Sequence, residues 1–173
     1  MFTIRKANMS DRFLINDLAS QVWENTYGRI LSKEQLEYMF EMMYSPENLA
    51  KQIAEPEFSF FIVYDGDTPS GYLSIEQKDE STYIFQKIYV LPRAQGTGMG
   101  RYIIEQGIDY LKTVRHSSPF TVILYVNREN NAVGFYKHLG FEVIDVRDHH
   151  IGNGYYMNDY IMALDVEGYQ TPV

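Results

Sequence analysis

The chain has 173 residues, enough for one domain with a sizeable core and too few for two of ordinary size. Hydrophobic residues make up 45% and charged residues 22%, a globular composition that excludes intrinsic disorder. The net charge of −8 argues against a nucleic-acid partner, which needs clustered Lys and Arg, and the absence of cysteine excludes disulfides and thiolate metal sites.

Residues 2–7, "FTIRKA", alternate like a short strand. The stretch 10–28 carries Leu14, Ile15, Leu18, Val22 and Trp23 at helical spacing, with Ser10 or Asp11 as cap and Gly28 as stop. A second helix is expected over Ser32–Met43, opened by a Ser32–Gln35 capping box, and a third over Ser45–Ile53 with Pro46 in its first turn. From Phe58 to Pro92 the period changes to two. Three strands are predicted there, joined by turns at Asp65–Gly66 and near Asp79–Ser81.

A glycine-dense turn, "LPRAQGTGMGR", follows the last of these strands and leads into a helix with Ile103, Ile104, Gly107, Ile108 and Leu111 on one face. The run Phe120–Val126 is apolar and β-branched, as in a strand buried on both faces. A short helix closed by Gly140 and a hairpin across Gly152–Gly154 complete the domain. The chain reads as a single domain over residues 1–166 with a loose tail at 167–173. Its longest apolar stretch, Phe58–Tyr64, is far short of a membrane span, and its N-terminus lacks the pattern of a signal peptide. A cytoplasmic protein without membrane or nucleic-acid partners is expected.

The glycines at 96, 98 and 100 do not fit a P-loop, because Arg101 and Tyr102 stand where lysine and a hydroxyl are required. Nor do they fit the dinucleotide fingerprint, whose spacing differs. The remaining reading is an amide cradle, Gln95 to Gly100, that wraps a pyrophosphate at a helix N-terminus with no metal. Neighbouring His149 and His150 have no third ligand at sensible spacing, so no metal site is expected.

The segments "IYVLPRAQGTGMGRYIIEQGIDYL" and "VNRENNAVGFYKHLGF" together resemble the acetyl-CoA-binding motif of the GNAT superfamily of N-acetyltransferases and the motif that follows it. The stretches "WENTYG" and "IGNGYYMNDYIM" are most similar to the bacterial polyamine (spermidine/spermine) acetyltransferase-like branch. The resemblance implies an α/β (α+β) GNAT-like domain: a mixed, mostly antiparallel sheet of six to seven strands with helices on both faces, its strands splayed near Ile88–Val90 and Asn127. It implies acetyl-CoA as co-substrate, held by Gln95, Gly96, Thr97, Gly98, Met99, Gly100 and Arg101 at the pyrophosphate, and by Ile88, Tyr89 and Val90 along the pantetheine arm. Asn127, Asn130, Phe135 and Tyr136 complete that set, with the Ile88 N–H as oxyanion donor and Tyr136 as general acid toward the departing thiolate.

The acceptor implied is a primary amine, and the −8 charge favours a small polycation. An alkylamine of pKa about 10.4 is neutral at pH 7 at a cost of about 4.6 kcal/mol, so a carboxylate is expected to receive its proton. Glu24, Glu41 and Glu76 are the candidates by their place near the first helices and the meander, and Gln86 stands where members of the resembled family carry a strand-four glutamate. That substitution leaves the base open and admits a water relay. Trp23 and Tyr27 are the expected acceptor-pocket residues. The alternatives are a protein or peptide N-acetyltransferase and a non-catalytic acyl-CoA sensor; the resemblance admits a homodimer, and nothing in the sequence decides the assembly.

Overall fold

The computed structural model describes residues 1–167; the expected tail beyond residue 167 lies outside the described residues. The strands are β1 (Phe2–Lys6), β2 (Phe58–Asp65), β3 (Thr68–Gln77), β4 (Thr82–Val90), β5 (Phe120–Asn127), β6 (Glu142–Gly152) and β7 (Tyr155–Val166). The helices are α1 (Arg12–Tyr27), α2 (Lys33–Tyr44), α3 (Pro46–Ala54), α4 (Met99–Val114) and α5 (Ala132–His138). The sheet runs β1-β2-β3-β4-β5-β7-β6 and is antiparallel except where β4 meets β5. The parallel pair needs a crossover, which α4 supplies.

Each face of the sheet has its own core. Helix α4 buries Ile103, Ile104 and Leu111 against Leu73, Phe85, Val122 and Leu124. Helices α1 to α3 bury Leu18, Val22, Trp23, Tyr44 and Leu49 against Phe60, Ile62 and Tyr72 on the other face. Helix α4 comes close to the sheet at Gly107, where an added Cβ would stand 2.8 Å from Phe85 Cζ and 2.9 Å from Leu73 Cδ2.

Two capping expectations are corrected. Asp11 stands at the N-cap of α1 as expected, but its side chain bonds no α1 amide; Asn8 caps the preceding 3-10 turn (Met9–Asp11), its Oδ1 accepting from the Ser10 N–H at 3.0 Å and its own N–H donating to Asp11 Oδ2 at 2.8 Å. Asp11 instead receives the Arg5 guanidinium through two bonds of 2.9 Å, a stronger use of a carboxylate than one helix amide. Ser32 accepts from the Gln35 N–H at 3.1 Å, but the Gln35 side chain donates to the Tyr156 carbonyl at 2.9 Å rather than closing a box. That bond and Tyr38 Oη to the Ile151 carbonyl, 3.0 Å, tie α2 to the β6–β7 hairpin. The hairpin itself turns on Asn153 and Gly154, both at positive φ, as a two-residue connection requires.

The sheet is interrupted at its centre in two ways. Parallel pairing of β4 and β5 ends at Phe85↔Leu124, although β4 continues to Val90 and β5 to Asn127. Along β3 the register steps from Ile75↔Phe85 to Ser74↔Lys87, leaving Gln86 as the extra residue of a bulge. The bulge reverses the alternation. Phe85 faces the α4 core, but Lys87 and Tyr89 face the α1–α3 side while Ile88 and Val90 return to the α4 side.

Candidate active site

The glycine loop is built for close backbone approach. Gly96 and Gly98 sit at φ +77 and +90, and nothing stands within 4 Å of where their Cβ atoms would be. Gly98 is the N-terminal cap of α4, and the first helical bond runs from Tyr102 N–H to Gly98 O at 3.0 Å. The amides of Met99, Gly100 and Arg101 therefore have no helical acceptor and stand at the positive end of the helix dipole. The Met99 side chain is fully buried, so its part in the loop is through its backbone. Arg101 is exposed and pairs with Glu105 at 2.7 Å along the same helix. Its side chain is directed along α4 rather than over the loop.

A cleft of about 610 Å³ opens where β4 and β5 part. Ile88, Tyr89, Val90, Gln95, Gly100, Asn130, Phe135 and Tyr136 line it. The orientation of the β4 amides follows from the hydrogen bonds at its end. Leu91 N–H donates to Ser70 O on the β3 side, whereas Val90 O accepts from Gln95 Nε2 at 3.2 Å. Because successive residues of a strand point to opposite sides, the N–H and C=O of Val90 and Ile88 point away from β3, into the gap. Phe135 closes over Gly100, 3.3 Å from where a Cβ would lie. Asn130 Oδ1 accepts from Ala132 N–H and Asn127 Oδ1 from Glu129 N–H, so both amides also shape the β5–α5 turn. Asn127 lies outside this cleft.

Tyr136 projects from α5 into the cleft, and its hydroxyl makes no hydrogen bond to another described residue. Burial raises its pKa well above that of an ordinary phenol. The group is therefore protonated throughout the physiological range.

A second cavity, of about 300 Å³, lies on the other side of β4 beneath α1 and α2. Trp23 and Tyr27 line it, with Tyr44, Tyr89 and Tyr125. It meets the cleft at a shared wall of Tyr27, Gln86, Tyr89 and Tyr125, within which the Tyr27 and Tyr89 hydroxyls are 2.7 Å apart. Burial pushes the Tyr27 phenol up to about 12.

The expected carboxylates do not line this cavity. Trp23 and Tyr27 turn one stripe of α1 inward, so Glu24 is rotated out to solvent. Met39, Met42 and Met43 do the same on α2, leaving Glu41 exposed. Glu76 is half-buried and accepts from Gln86 Nε2 at 2.6 Å, one residue removed from the wall. The carboxylate that does line the cavity is Asp159 of β7, 2% exposed. Arg147 stands across from it on β6, with Nε and Nη2 each 3.4 Å from Oδ2, and stacks 3.7 Å above the Tyr125 ring. Burial raises the Asp159 pKa, opposed by Arg147. Lys87 also lines the cavity, 8% exposed, and donates to Gln52 Oε1 at 2.7 Å. Burial lowers its pKa to about 8, with a small opposing effect of Glu76.

A cleft with free strand amides and a glycine cradle, joined through one wall to a smaller aromatic cavity, is the layout of an enzyme that transfers a group between two substrates. The chain belongs to the GNAT acetyltransferases: the acetyltransferase (GNAT) domain family matches residues 29–164. It is 24% identical over 147 residues to the spermidine N(1)-acetyltransferase of Thermoplasma acidophilum, covering 82% of this chain and 89% of that protein. It is 30% identical over 131 residues to the mycothiol acetyltransferase of Geodermatophilus obscurus, covering 70% of this chain and 40% of the relative. Among solved structures it superposes on PaiA N-acetyltransferase from T. acidophilum in complex with coenzyme A at a TM-score of 0.78 and 22% identity, covering 98% and 99% of the two chains.

Proposed function

We propose that the enzyme transfers acetyl directly from acetyl-CoA to a primary amine of a small acceptor, within a ternary complex. The observation that carries this reading is the meeting of the two cavities at the β4 bulge, with the Ile88 and Val90 amides directed into the cleft. The amides at the start of α4 suit the coenzyme pyrophosphate, and the free edge of β4 suits the amide-bearing pantetheine arm, which pairs there as an added strand. The Ile88 N–H then lies where it stabilises the oxyanion of the tetrahedral intermediate.

The amine nitrogen attacks the thioester carbonyl, forming the C–N bond; collapse of the intermediate breaks C–S. Tyr136 supplies a proton to the leaving thiolate; burial keeps the phenol protonated in the resting enzyme and makes it a weaker acid, so the transfer follows charge development on sulfur. The amine loses its proton to the acceptor side, where Asp159 is the carboxylate in position. No cysteine exists to carry an acyl-enzyme. A polyamine acceptor is the second reading, favoured by the −8 charge and by the named activity of the Thermoplasma relative. A panel of polyamines, aminoglycosides, amino acids and peptides, followed by thiol release from acetyl-CoA, tests both. Turnover on a free amine with matching N-acetyl product supports the proposal, and turnover on peptides alone overturns the small-acceptor reading.

A further inference from the structure

Lys87 is a buried ammonium with no counterion in contact; the Glu76 carboxylate acts on it only from beyond ion-pair distance. No ion pair among the described residues includes it, and its one hydrogen-bond acceptor is the Gln52 amide oxygen. Its remaining surroundings are ring faces: Nζ lies 5.4 Å from the Tyr44 centroid and 5.8 Å from that of Phe60. Directly across the β3–β4 register, the Ser74 hydroxyl is fully buried and has no hydrogen-bond partner. Buried charges in folded proteins are paired, because an isolated one forfeits its hydration with nothing in return. Here the side chain lines a cavity, so the missing partner has a place to come from.

The rest of the cavity wall sharpens this. Among the described residues Asp159 is the one carboxylate on it, and Arg147 already faces Asp159. Lys87 and Arg147 against Asp159 leave the wall one positive charge in excess, before His149, which also lines it, is counted. A polycation bound there would place further ammonium groups beside Lys87 with no anion to meet them. An acceptor with one amine and one anionic group matches instead, its ammonium toward Asp159 and its anion toward Lys87.

We infer that the acceptor is an amine that also carries an anionic oxyacid group, a carboxylate or phosphate, which Lys87 recognises. This inference rests on the cavity being the acceptor site of the proposed transferase. The aromatic and methionine walls, including Trp23, Tyr89 and Met39, leave room for an apolar part of the acceptor beside its two charges.

Matched acceptor pairs differing only in the anion test it: tyrosine against tyramine, and phosphoethanolamine against ethanolamine, with spermidine as a third arm. The anionic member of one pair is expected to show kcat/KM higher by about 10- to 100-fold, the range of a charge-assisted hydrogen bond, with the difference mainly in KM. The pair that shows it separates carboxylate from phosphate. In Lys87→Met and Lys87→Gln the two members of that pair converge. Calorimetric titration of the same pairs onto the enzyme loaded with coenzyme A reads the anion site without turnover. Binding with no transfer to any amine sinks the transferase reading and leaves the anion site standing. Equal or weaker binding of both anionic members, or higher kcat/KM for spermidine, overturns the inference.

Discussion

Replacing Lys87 by methionine removes a buried charge while keeping an unbranched chain of similar length. Burial lowers the Lys87 pKa from 10.5 to about 8. At about 1.36 kcal/mol per unit, charging this side chain inside the fold costs about 3 kcal/mol relative to the unfolded chain. Loss of the bond to half-buried Gln52 returns about 1 kcal/mol, so Lys87→Met is expected to be more stable at pH 7 by about 2 kcal/mol. Between pH 8 and 10.5 the unfolded chain holds a proton that the folded protein has released, so wild-type stability climbs relative to the variant. The buried tyrosines titrate in both proteins and largely cancel in the comparison. Urea denaturation of both proteins at pH 7, 8, 9 and 10 measures the gap, which is expected to close by about 2 to 3 kcal/mol over that range. A gap that does not change with pH, or a wild type more stable than Lys87→Met at pH 7, refutes the uncompensated charge.

Tyr136→Phe is expected to lower kcat by about 100-fold with little change in KM for acetyl-CoA; unchanged single-turnover rates remove Tyr136 from the chemistry. Asp159→Asn should abolish a low-pH limb in kcat/KM. Activity rises with pH as this carboxylate loses its proton, and because burial raises its pKa the limb sits above the usual carboxylate range, distinct from the limb of the amine substrate. A pH profile of the variant that retains the limb assigns it elsewhere. Gly107→Ala forces a methyl to within 2.9 Å of Phe85 and Leu73 and should destabilise the domain by about 1 to 3 kcal/mol in thermal melts.

What the sequence shows well is local. The glycines at 96, 98 and 100, with Arg101 and Tyr102 after them, exclude other phosphate loops by spacing and residue type, and the helical stripe of α1 already places Trp23 and Tyr27 on one side. The acceptor site is less legible because it depends on long-range register. Under strict alternation Lys87 shares a face with Tyr83 and Phe85, both in the α4 core. The single extra residue at Gln86 moves it to the opposite face, under α2 and α3, and nothing in "IFQKIYV" announces a bulge. Asp159 is hidden for a related reason. In "YYMNDYIM" it reads as a polar residue of a hairpin, and only pairing with β5 on one side and β6 on the other buries it beside Arg147. Glu24 and Glu41 attract notice as acids on the right helices, but the faces of those helices that carry Tyr27 and Met43 decide what reaches the cavity.

The central claim is that one acetyl group passes from the coenzyme cleft to an amine bound across the β4 bulge. A single-turnover reaction of enzyme, acetyl-CoA and amine, quenched and analysed for free thiol and N-acetyl product together, tests it most directly. The account predicts that thiol appears only with amine present, in equal amount to the N-acetylated acceptor, and with no acetylated protein. Tight coenzyme A binding with no amine-dependent thiol release from any acceptor contradicts it and leaves an acyl-CoA-binding protein in its place.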